Sequence, residues 1–221
     1  MNADGAAGVL AIWNDTRAGR EPEFDFWFKS EHFAERLAVP GFRVGRRFEA
    51  LAGSPRFFVY YLTDTPEVLT SPGYLERLNN PTPLTRVMMT EVFENMTRTL
   101  CRRVEQRGVL CGAICVTARF DVLPDRRALA PWLDLHADAE GVVRCELWSS
   151  IDRDAPVAEE ERLRGGDRKI AGCLVVQTLR EGEAQRVSAG LAREFGAGAE
   201  IGIYRLLSEI GSGDVEAAQS E

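Results

Sequence analysis

Apolar and polar positions along the chain fall into two rounds of one order of elements. Residues 8–13 form a short apolar run that Asn14-Asp15-Thr16 breaks, the pattern of a strand running into a loop. Pro22 and Glu23 open a helix that the spacing carries to about residue 39, where Pro40-Gly41 stops it. Positions 42–51 alternate, with Phe42, Val44, Arg46 and Phe48 on one face and Arg43, Gly45, Arg47 and Glu49 on the other. A turn at Gly53-Ser54-Pro55 joins this segment to a second strand at 56–62, so the two read as a hairpin. Helical segments are expected from Thr63-Asp64-Thr65-Pro66 to residue 79, interrupted near Ser71-Pro72-Gly73. Asn80-Pro81-Thr82-Pro83 reads as a rigid loop. Residues 91–106 read as a long strand, although 88–103 also fits a helix.

The pattern then recurs. Strands are expected at 113–123, 142–151, 169–179 and 201–210, helices at 124–139 and 181–195, and a polar, charged loop at 152–167. Each round is βαββαβ. One such unit alone leaves one sheet face bare, and packing two bare faces together buries both. The expected fold is therefore α+β: tandem ferredoxin-like βαββαβ repeats whose antiparallel sheets pack as an intramolecular dimeric α/β barrel. The expected division is a first repeat at 1–109, a second, diverged repeat at 110–211, and a flexible tail at 212–221.

Composition narrows the function. The net charge of −7 and the absence of a long basic block speak against a nucleic-acid partner. No apolar run reaches the ~20 residues a membrane helix needs, and the N-terminus lacks the basic and apolar regions of a signal peptide. A cytoplasmic protein is expected. Five cysteines, without a CxxC pair, read as buried free thiols, and two histidines are too few for a multi-histidine metal site, so no metal is expected.

Residues 27–42 are the most specific stretch. Trp27, His32, Glu35-Arg36-Leu37 and Pro40-Gly41-Phe42 resemble the W-x4-H-x2-E-R-L-x2-P-G-F stretch of EthD-like proteins in the dimeric α/β-barrel superfamily. Arg46-Arg47-Phe48, Pro55-Arg56-Phe57, Tyr60-Tyr61, Ser71-Pro72 and residues 80–85 continue the likeness over about residues 8–105. In the second half Trp132 and His136 are kept, but the Glu-Arg-Leu and Pro-Gly elements are missing. The resemblance implies the barrel fold and, in the first half only, a pocket. The superfamily spans cofactor-free monooxygenases, cyclases, isomerases and heme-dependent branches, so it implies no single reaction.

His32 is the leading candidate for chemistry, because imidazole exchanges protons near neutral pH. At ~100° per residue, Asp25, Lys29, His32 and Arg36 fall on one helix arc, so Asp25 could orient the imidazole. The alternative is a partly exposed histidine that bridges surface charges. Arg46, on an apolar strand face, must meet an anion or a carboxylate such as Glu35. Asn14, at a strand end, could bond a substrate oxygen, whereas Asp15 is better read as a turn former. Trp27, Tyr60 and Tyr61 are candidate substrate-binding residues. The two tyrosines point to opposite faces, and core packing is the alternative role for each.

The expected function is a cofactor-independent enzyme acting on a small aromatic or polyketide-like substrate by acid–base chemistry, of lyase, cyclase, dehydratase or isomerase type. A cofactor-free monooxygenase and a non-catalytic binding or assembly module are the alternatives. The expected partner is the small-molecule substrate, and a homodimer is compatible with the sequence.

Overall fold

The computed structural model describes residues 7–151 and 157–219. The first half runs β1 (Gly8–Thr16), α1 (Glu21–Trp27), a π-helical turn (Phe28–His32), α2 (Phe33–Leu37), β2 (Phe42–Ala52) and β3 (Phe57–Thr63). A 3-10 turn (Pro66–Thr70), α3 (Pro72–Asn79), α4 (Pro83–Val87), a second π-helical turn (Met88–Val92) and β4 (Phe93–Arg107) complete it. The second half runs β5 (Ile114–Phe120), α5 (Arg126–Ala137), β6 (Val142–Ser150), α6 (Glu159–Leu163), β7 (Gly172–Thr178), α7 (Glu181–Phe195), β8 (Glu200–Gly211) and α8 (Ser212–Gln219).

The eight strands close into one antiparallel barrel in the order β1-β3-β2-β8-β5-β7-β6-β4. Pairing of β2 with β8 and of β4 with β6 seams the halves together. Both faces of the sheet are covered, which is why β3 and β7 read as near-continuous apolar runs. Alternate residues serve different cores. Val9, Ala11, Trp13, Phe58, Tyr60, Cys173 and Val175 fill the barrel interior. Leu10, Val59 and Tyr61 pack outward against the helices of the first half. Leu174 and Val176 do so against those of the second.

Three expectations change. The rigid loop at 80–83 leads directly into α4, started by Thr82, whose Oγ1 accepts from the Thr85 N–H at 3.1 Å. The charged stretch at 152–167 contains α6, while residues 152–156 lie outside the described part. The tail expected from residue 212 forms α8, because Val215 buries itself in the first-half core and Asp214 accepts from the Gly211 N–H at 2.8 Å.

Candidate functional site

His32 sits where the first helix changes pitch. Phe33 donates its N–H to the Phe28 carbonyl, five residues back, so one residue more than usual is wound into the turn. Trp27 and His32 are thereby five apart yet stacked, with ring centroids 3.8 Å apart and planes at 24°. Phe28 and Tyr61 meet the imidazole edge-on at 5.2 and 6.1 Å. The indole of Trp27 is fixed from its far side: its Nε1 donates to Thr85 Oγ1 at 3.0 Å, and that hydroxyl donates to Glu31 Oε1 at 2.8 Å.

The cavity beside this stack is about 420 Å³, its open mouth included. Leu10, Ile12 and Val59 form its floor on the sheet, and Trp27, Phe28 and Phe93 form aromatic walls. Its polar wall comprises His32, Arg36, Asn14, Tyr74, Arg98, Glu160 and Arg164. Arg98 donates to the Tyr74 hydroxyl at 2.9 Å. Arg36 Nη2 bonds Glu160, and Arg164 bonds Asp167 at 2.6 and 2.8 Å. Glu160 and Arg164 come from α6 and its exit. The second half therefore reaches over the barrel to build part of the first half's cavity. The backbone N–H of Glu159 donates to Asn79 Oδ1 at 3.1 Å, which pins α6 against α3.

Three buried polar atoms on this wall have no hydrogen-bond partner: His32 Nδ1, Arg36 Nη1 and Asn14 Oδ1. Buried polar groups are normally satisfied, and these three belong to residues that line one cavity. Burial, then the charges of Arg36 and Arg164, hold the His32 imidazole well below its ordinary pKa of 6.5. It is a neutral ring at physiological pH. Among the described residues no group of three or more His, Cys, Asp or Glu side chains is placed to hold a metal ion.

No protein-family model matches the chain, and no curated protein matches it either. Solved structures do. An anthrone oxidase-like protein superposes with a TM-score of 0.66 at 13% identity, covering 96% of this chain and 95% of its own. A candidate monooxygenase of Fusobacterium nucleatum subsp. nucleatum gives 0.56 at 8% identity over 94% and 95%. A candidate chlorite dismutase gives 0.56 at 13% identity over 96% and 98%. The chain has the dimeric α/β-barrel fold. At these identities the likeness carries the fold and leaves the reaction to the site itself.

Within this dimeric α/β barrel the expected site residues divide between two faces of the sheet. His32, Trp27 and Asn14 border the one cavity. Tyr61 stands behind His32 on the same face, with its hydroxyl buried. Tyr60 and Arg46 are inside the barrel instead: Arg46 donates to the Tyr60 hydroxyl at 2.7 Å and pairs with Glu209, and Gln177 donates to the same hydroxyl at 3.2 Å. Arg46 and His32 share no cavity, and Glu209 rather than Glu35 is the arginine's partner. Asp25 does not reach His32. It faces solvent and pairs with Arg47, whose guanidinium stacks over Phe24 and Phe28. The π-helical turn is the reason: it rotates the helix after Phe28, so the arc through Asp25 and Lys29 no longer contains His32 and Arg36. Asp15 lies within β1 rather than in a turn, and it accepts from the Arg56 N–H at 2.6 Å and from Asn95 at 2.8 Å.

Arg36 stands in the sequence on the helix arc of His32, whereas no pattern in the sequence points to Tyr74, Arg98, Glu160 or Arg164. The Glu-Arg-Leu triplet of the resembling stretch was the one available pointer to Arg36.

Proposed function

We propose that the His32 cavity binds a small aromatic or polyketide-like compound and moves a proton on it. The observation that carries this is the pairing of an unpartnered His32 Nδ1 with an unpartnered Asn14 amide oxygen inside one aromatic-walled cavity. Trp27, Phe28 and Phe93 offer flat faces to a ring. His32 is present as the free base, ready to accept a proton. Asn14 accepts from a substrate hydroxyl and fixes its orientation. A substrate whose O–H or activated C–H is already acidic suits so weak a base. The stretch resembling EthD-like proteins supplies Trp27, His32 and Arg36 to this cavity, and membership of that family is part of the proposal. So is a cytoplasmic location, which five free thiols, four of them buried, support.

The test is turnover of a panel of phenolic and enolisable ring compounds by the wild type and His32→Gln. Loss of turnover at pH 7.5 by a variant that still unfolds cooperatively near the wild-type temperature at that pH supports the assignment. A folded variant with full activity overturns it.

A second reading is cofactor-free oxygenation, in which the deprotonated ring itself reacts with oxygen. The superposition on an anthrone oxidase-like protein favours it. Anthrone and O2 give anthraquinone and water in balance, so oxygen uptake with anthrone separates this reading from the first.

A further inference from the structure

Arg36 is the least satisfied cation of the cavity. The residue is 1% exposed, and only one of its terminal nitrogens, Nη2, has a carboxylate, Glu160. Nη1 has none: the nearest candidate, Glu35 Oε1, is 4.0 Å away, beyond hydrogen-bond reach. A guanidinium presents donors in a fixed planar fork, so a bond made at Nη2 fixes the direction of Nη1 as well. Arg36 lines the cavity together with His32 and Asn14, whose Nδ1 and amide oxygen are also buried without partners. A buried donor on a cation is costly to leave open, and an anionic oxygen arriving there would relieve that cost. Arg47, which does not line the cavity, also leaves its Nε without a partner, but it pairs with Asp25 and lies over the rings of Phe24, Phe28 and Phe57.

We propose that the cavity takes its ring compound as an oxyanion, with the negative oxygen received by Arg36 Nη1 while the ring lies among Trp27, Phe28 and Phe93. This deepens the acid–base reading of the same cavity and rests on it. It has a consequence for His32. Burial first, and then Arg36 and Arg164, press the imidazole toward its neutral form; an anion held by Arg36 offsets the charge part of that pressure and makes His32 a stronger base once ligand is bound.

The experiment compares 1-hydroxy-2-naphthoate with 1-hydroxy-2-naphthamide, two probes of nearly equal shape that differ in charge. Calorimetric binding to the full chain should favour the carboxylate at least tenfold. Arg36→Lys should keep a preference, and the double variant Arg36→Gln, Glu160→Gln, which removes both members of the buried pair, should reduce it below threefold. The His32 imidazole, followed by NMR, should titrate at higher pH with naphthoate bound than without. Equal binding of the two probes overturns the proposal, as does an absence of binding by either. A preference that survives the double variant does so too. None of these outcomes touches the His32→Gln turnover result, so failure of the charge inference is distinguishable from failure of the acid–base reading.

Discussion

His32 lies flat on Trp27 at 3.8 Å, and the second half repeats the relationship with His136 on Trp132, also at 3.8 Å. The two pairs differ in spacing and in what the histidine does next. In α5 the residues are four apart, and His136 Nδ1 bonds back to the Trp132 carbonyl at 2.8 Å. In the first half they are five apart, across the π-helical turn, and Nδ1 is buried without a partner. The extra residue keeps the stack while releasing the nitrogen from the backbone. One half thus holds a tethered histidine and the other an available one.

Acid should act on stability through His32. In the unfolded chain it takes up a proton near pH 6.5, whereas burial beside Arg36 and Arg164 keeps it neutral well below that when folded. The unfolded state therefore binds the extra proton in this window, and stability falls as pH drops below about 6.5. Glu35, pushed up by burial, works in the opposite sense at lower pH. Tyr61, the other titratable group against the ring, is held in its neutral form by burial throughout. His32→Gln should gain about 2–4 °C in melting temperature relative to wild type between pH 7.5 and 5.5. A difference that stays flat across that range contradicts the assignment.

Glu160→Ala should cost about 3–5 kcal/mol in denaturant unfolding, because Arg36 is left buried without its carboxylate. Replacing both by methionine should recover most of the loss, since a buried pair gives little net stability over an apolar one. A single-variant cost under about 1 kcal/mol would place the pair in solvent.

Arg46→Met should destabilise by about 1–3 kcal/mol, as the Tyr60 hydroxyl loses one of its two donors inside the barrel and keeps only Gln177. Binding of 1-hydroxy-2-naphthoate should stay within twofold of wild type, because the sheet separates Arg46 from the cavity. A large loss of affinity would return Arg46 to the site.

Gly45→Ala should cost about 1–3 kcal/mol. A methyl there would stand 2.8 Å from Tyr61 Cε1 and 2.9 Å from Phe33 Cε1, against rings that support His32. Thermal unfolding checks the size of the effect.

The barrel was legible because each strand and helix carries its own period and each turn its own residues: Gly53-Ser54-Pro55 marks the hairpin and Pro40-Gly41 the helix end. The site was legible only in part. Alternation shows that Tyr60 and Tyr61 point opposite ways, and they do, but it cannot say which side faces the barrel interior. Arg46 shares the inner side with Tyr60, which alternation alone does not reveal. A helix drawn at a uniform 100° per residue cannot contain the π-helical turn, which is why Asp25 was paired with His32. Five residues of α6 inside a charged stretch leave no periodic signal, so Glu160 and Arg164 went unread until the fold laid them beside Arg36.

The seams between β2 and β8 and between β4 and β6 have a further consequence. When two identical subunits build such a barrel, symmetry copies every substitution into both halves, and neither can specialise without the other. Joining the halves in one chain removes that constraint. A change in the β6–β7 connection then remodels a single cavity, which leaves this half free to serve as a dedicated wall for its neighbour.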